Sequence, residues 1–176
     1  ILRPGDKTAL IGQNDIQTTA LIRAIMGEID YEGTVKWGVT TSRSYLPKDN
    51  SADFAGNESI LDWLRQFASK EEDDNTFLRG FLGRMLFSGD EVNKPVNVLS
   101  GGEKVRVMLS KLMLLKSNVL VLDDPTNHLD LESISSLNDG LKNFKESIIF
   151  ASHDHEFIQT LANHIIVLSK NGVIDR

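Results

Sequence analysis

Residues 119–125 read VLVLDDP, an apolar run closed by Asp123, Asp124 and Pro125. A short unbroken apolar run bounded by a turn signal is the pattern of a strand buried on both faces. Residues 147–151 (SIIFA) repeat it, and residues 6–11 (DKTALI) and 165–168 read as two more short strands. Helical spacing lies between them. Residues 18–26 put Leu21, Ile22 and Ile25 on one face before a stop at Gly27, and helices are expected over 131–141 and 155–162. Short apolar strands alternating with helices predict an α/β fold with a mainly parallel sheet. Residues 35–39 and 43–46 read as further strands, the second ended by Pro47.

The middle of the chain differs. Residues 58–68 carry Ile60, Leu61, Leu64 and Phe67 at helical spacing, and residues 77–87 form a second helix weakened by Gly80 and Gly83. The acidic run 71–74 reads as a solvated loop. Nine acidic residues against five basic ones between 51 and 99 make this stretch a poor surface for a phosphate backbone. The expected division is an α/β core over 1–50 and 100–176, with a helical subdomain over 51–99.

The whole chain has 176 residues, enough for one core without covalent staples. With 19 Lys+Arg and 25 Asp+Glu its net charge is −6, which argues against a stand-alone nucleic-acid binder. The absence of cysteine excludes disulfides and cysteine zinc sites, and fits a cytoplasmic location. No apolar run is long enough to span a membrane, and no secretory signal is visible. Because the chain opens at Ile1 inside structured sequence, it reads as one domain of a longer protein, truncated at both ends.

Four segments at strand ends carry the chemistry, where open α/β sheets place ligands. Residues 12–19 (GQNDIQTT) join a strand to a helix and half match a phosphate-binding loop, G-x-x-x-x-G-K-[S/T]. Gly12 and Thr19 are in place, while Gln17 and Thr18 stand where Gly and Lys belong. Helix-start amides there can bind an anion and Thr19 can offer a hydroxyl to Mg²⁺, but taken alone this segment favours a plain strand-to-helix turn. Residues 99–103 (LSGGE) place Ser100 and Glu103 at capping-box spacing. Capping leaves Gly101 and Gly102 unexplained, since each costs about 1 kcal/mol against Ala in a helix. Bare amides at a helix start suggest a surface phosphate site. Asp123 and Asp124 suit a Mg²⁺ ligand followed by a water-orienting base, or else a polar turn before Pro125. His153, after the SIIFA strand, is either a packed or capping residue or a contact to a terminal phosphate.

Taken together in this order, the four segments resemble the ATP-binding cassette superfamily. LSGGE looks like its signature motif, VLVLDD its Walker B strand, residues 127–130 (NHLD) its D-loop and His153 its switch histidine. PTNHLD at 125–130 is similar to the ABC-F family of soluble twin-cassette proteins that act on ribosomes. Residues 36–50, 78–91 and 109–114 look like the second cassette of its YbiT-like branch. The resemblance covers essentially the whole chain. It implies that Gly12, Asn14, Gln17, Thr18 and Thr19 surround the triphosphate of ATP, with Thr19 and Asp123 on Mg²⁺. Asp124 and His153 would be catalytic. Ser100, Gly101, Gly102 and Glu103 would cap a nucleotide held by a second cassette, and Asp130 would bridge the two.

The sequence departs from the family at Gln17 and Thr18, at Lys48 in the Q-loop position, and at Asp124, one methylene shorter than the family's glutamate. About 1 Å of misplacement can cost about 10²-fold in rate, so hydrolysis in this site is expected to be slow or absent. A lysine missing at position 18 and present at position 48 suggests that Lys48 partly restores the lost charge. The alternative for Lys48 is a solvated loop residue after Pro47. The expected function is Mg·ATP binding at a twin-cassette interface that controls ribosome association. The alternatives are a membrane-transporter cassette, disfavoured by PTNHLD, and a non-catalytic cassette that serves as a dimerisation scaffold.

Overall fold

A computed structural model describes residues 1–176. Its strands are β1 (Lys7–Ile11), β2 (Arg43–Leu46), β3 (Val119–Asp123), β4 (Ser147–Ala151), β5 (His164–Ser169) and β6 (Gly172–Asp175). Its helices are α1 (Asp15–Met26), α2 (Ile60–Arg65), α3 (Asn75–Arg84), α4 (Gly101–Leu114), α5 (Leu131–Lys142) and α6 (His155–Leu161). Two compact units share the chain. The first comprises Ile1–Lys48, Ser117–Pro125 and Phe144–Arg176; the second comprises Asp49–Lys116 and Thr126–Asn143.

All six strands belong to the first unit, in the order β2-β3-β4-β1-β5-β6. The first five are parallel and only β6 runs antiparallel, against β5. Parallel sheets need cover on both faces. Leu10, Val121 and Ile149 form a core with Ile22 of α1. The next residue along β4, Phe150, points the other way and meets Phe157 of α6 edge-on at 5.5 Å. Leu120, Val121, Leu122, Ile148 and Phe150 are each at most 1% exposed, as expected for strands buried on both sides.

Residues 35–39, expected as a strand, form none. Apolar residues alone do not make a strand; a ladder partner is needed, and β2 pairs only with β3. Trp37 instead packs on the core with the Arg43 guanidinium 4.8 Å from its ring, while Val39 is fully exposed. The strand β6 is a further element: Lys170 and Asn171 turn the chain, and Gly172, with φ of +124°, pairs with Ser169 to begin it. The helix α1 starts at Asp15, three residues earlier than expected, because the Asn14 side chain accepts a hydrogen bond from the Gln17 amide and caps it.

The second unit holds α2 to α5. The helices α4 and α5, which the expected division at residue 100 gave to the α/β core, fall in this second unit. The helix α4 packs on α2 and α3. Ser136 of α5 donates to the Arg84 carbonyl at 2.7 Å, and a Cβ on Gly140 would meet the Met113 Cε at 3.0 Å.

Ile149→Ala should cost about 2–5 kcal/mol of stability in chemical denaturation, the range for emptying a packed core position, whereas Val39→Ala should leave stability nearly unchanged.

Candidate functional site

Register places the end of β3 level with its neighbours: Asp123 lies opposite Ala151 of β4, and Ala151 lies opposite Leu10 of β1. The residues that follow these strands, and those that follow β2, therefore leave along one edge of the sheet. They line a cavity of about 220 Å³ that includes Gly12, Asp15, Lys48, Asp123, Asp124 and His153. Sites that enclose a whole drug-sized ligand run to about 300–1,000 Å³. This cavity is smaller than that.

The loop that opens α1 is closed tightly on itself. A Cβ on Gly12 would sit 2.9 Å from Thr18 Cγ2 and 3.1 Å from the Asn14 carbonyl, so no larger residue fits there. Thr18 is buried and its hydroxyl donates to the Asp15 carbonyl. Gln17 Oε1 accepts from the Gln13 amide at 3.0 Å. Two amides that an anion would use are thus held by Gln17 and Asn14.

Asp123 is 2% exposed. The Thr19 hydroxyl donates to its Oδ1 at 3.2 Å, but its Oδ2 is buried without a hydrogen-bond partner. Burial pushes its carboxyl above the ordinary range, against the pull of the Thr19 bond. A buried carboxylate oxygen with no donor is costly unless a cation satisfies it. Thr19 and Asp123, both oxygen donors, fit a hard divalent cation such as Mg²⁺.

Asp124 has φ of +54°, a left-handed conformation that Asp tolerates better than most residues, and its amide donates to the Ala151 carbonyl at 2.9 Å. Lys48 Nζ lies 3.7 Å from Asp124 and donates to Asp15 Oδ2 at 2.7 Å. His153 Nε2 is 2.5 Å from Asp15 Oδ1. The bond from Lys48 holds the Asp15 carboxyl below its usual range, and the same bond raises the lysine. Of the residues picked out from sequence for this region, the structure brings Gly12, Asn14, Thr18, Lys48, Asp123, Asp124 and His153 to one cavity. Asp15 was not singled out there. Its signal was a carboxylate inside a loop otherwise suited to an anion.

The signature segment lies in the second unit. Ser100 caps α4, its hydroxyl accepting from the Glu103 amide at 3.2 Å while the Ser100 amide donates to Glu103 Oε2 at 2.7 Å. Glu103 also accepts from Lys94 at 2.8 Å. Asp130 caps α5, accepting from the Ser133 amide. The two glycines differ. A Cβ on Gly102 would lie 2.6 Å from the His128 carbonyl oxygen, so close backbone approach demands glycine. A Cβ on Gly101 would only touch the His128 ring at 3.5 Å. Packing therefore accounts for Gly102, and Gly101 is the one whose bareness has no local cause.

Residues 1–127 match the ABC transporter family. The chain belongs to that family, as an ATP-binding domain of the cassette type. It is 56% identical over its whole length to the Bacillus subtilis uncharacterized ABC transporter ATP-binding protein YkpA, and 41% identical over 99% of its length to the Escherichia coli probable ATP-binding protein YbiT. It is 33% identical over 97% of its length to the Arabidopsis thaliana ABC transporter F family member 2. The chain spans 33% of YkpA and of YbiT and 25% of the Arabidopsis protein. Its fold matches that of the archaeal ribosome recycling factor aABCE1, solved with the stalk protein aP1, at a TM-score of 0.80 and 21% identity, over 94% of this chain and 32% of that one. No helix is long and apolar enough to cross a membrane.

Gly102→Ala should lower stability by about 1–3 kcal/mol, because backbone must move to admit the methyl group. Gly101→Ala should shift it by less than about 0.5 kcal/mol, and thermal denaturation of the pair separates the two roles.

Proposed function

We propose that this chain is a cassette of an ABC-F-type protein and binds Mg·ATP in the cavity at the strand ends. The observation that carries this reading is the buried Asp123, whose Oδ2 has no donor, beside Thr19 and beneath the Gly12 loop. Thr19 and Asp123 would hold Mg²⁺, which when bound neutralises the charge between the outer phosphates. Lys48 supplies the positive charge that Thr18 does not. Asp124 and His153 are the groups positioned to orient a water for in-line attack on the terminal phosphate.

Hydrolysis here is slow or absent. Asp124 is the shorter acid and has the Lys48 ammonium 3.7 Å away, and His153 is engaged by Asp15. A second cassette completes the site, with Ser100, Gly101 and Gly102 capping the partner's nucleotide, and closure of that pair controls association with a cytoplasmic ribosome. The ribosome part rests on PTNHLD and on relatives of the ABC-F type. The rival reading is a scaffold that holds no nucleotide here; it is favoured by the loop amides already satisfied by Asn14 and Gln17.

A thermal shift against Mg²⁺ alone tests this. Mg·ATP at about 100 times its Kd should stabilise the chain by about 2.7 kcal/mol. Lys48→Gln should shrink that shift. Absence of any shift favours the scaffold, and an undiminished shift in Lys48→Gln removes Lys48 from the phosphate site.

A further inference from the structure

The cavity already contains an anion of its own. Asp15 projects from the first turn of α1 to Lys48, at 2.7 Å, and to His153, at 2.5 Å. Lys48 is the one lysine or arginine among the residues lining this cavity. A terminal phosphate entering it must use that ammonium. It must also compete with the Gln17 and Asn14 side chains for the amides of Gln13 and Gln17. Each of these donors is already satisfied, so an incoming phosphate exchanges hydrogen bonds instead of adding them.

Charge points the same way. Three carboxylates, Asp15, Asp123 and Asp124, face one ammonium, which leaves a formal −2 with the histidines neutral. A polyanion is repelled from such a pocket until a divalent cation cancels the excess. The place for that cation is beside the unpartnered Oδ2 of Asp123. Asp15, Asp124 and His153 also bring ligand atoms within 4.8 Å of one another. They do not make a second metal site, because the Lys48 ammonium stands 2.7 Å from Asp15 and 3.7 Å from Asp124, in the place a cation would take.

We infer that Asp15 is a built-in competitor for the terminal phosphate, held by Lys48 and His153 where that phosphate must bind, so that the site accepts a metal-loaded triphosphate and rejects free nucleotide. Entry of the phosphate displaces the Asp15 carboxylate from Lys48, and the divalent cation offsets the charge that remains. This rests on the nucleotide reading above and adds a selectivity that the reading does not contain.

Isothermal titration of the purified chain with ATP, in Mg²⁺ and in EDTA, tests it on wild type, Asp15→Asn, Asp15→Ala, Lys48→Gln and the Asp15→Asn, Lys48→Gln double variant. Removing the charge at position 15 should tighten ATP on the order of tenfold in Mg²⁺ and by a larger factor in EDTA. Lys48→Gln should cost more affinity in the Asp15→Asn background than alone, because the lysine is then free to serve the phosphate. Circular dichroism melts confirm that each variant is folded, and two substitutions of different shape guard against a local distortion. If wild type binds ATP and both Asp15 variants bind it no more tightly in either condition, the competitor role is wrong and the nucleotide site stands. If neither wild type nor the variants bind ATP, the nucleotide reading fails, and the competitor role with it.

Discussion

Parallel pairing of β3 with β4, and of β4 with β1, is the constraint on which the site depends. It sets Asp123, Ala151 and Leu10 at one level, so the chain leaves all three strands along one edge of the sheet. A parallel sheet needs helices on both faces, and the cover from α1 and α6 removes the strands from water. The same burial reaches the last residue of β3. Asp123 inherits the desolvation of an apolar strand, and its Oδ2 is left buried without a hydrogen-bond partner.

Beyond the strand ends, polar side chains are engaged by the chain itself. Asn14, Ser100 and Asp130 cap helices, and Glu103 completes the box with Ser100. Helix starts carry unsatisfied amides, and side chains reach them in the absence of any ligand. In the α1 loop this leaves few free donors, because Asn14 and Gln17 take two and Asp15 takes the lysine. An anion arriving there meets competitors within the chain. The left-handed backbone at Asp124 is compatible with such a place, since strained conformations persist where surrounding contacts fix them.

The departures from the sequence reading share a physical origin. Residues 35–39 have strand-like composition without a ladder partner, and β6 exists because the Lys170-Asn171 turn folds it back on β5. The glycine pair of LSGGE looked alike in sequence; only the approach of the His128 carbonyl separates Gly102 from Gly101. Likewise α4 and α5 carry helical patterns that say nothing of which unit they join. Their packing on α2, α3 and Met113 decides it.

By itself, the sequence determined the alternation of buried strands and helices, the capping box of Ser100 and Glu103, and the identity of the motif residues. These follow from periodicity and from bonds within a single turn of chain. Only the tertiary structure decided that Lys48 meets Asp15 across 33 residues and that Thr19 meets Asp123 across 104. Those meetings depend on strand order and register, which short-range spacing does not encode. They turn a half-matched phosphate loop into a pocket with one ammonium, three carboxylates and a buried oxygen without a donor.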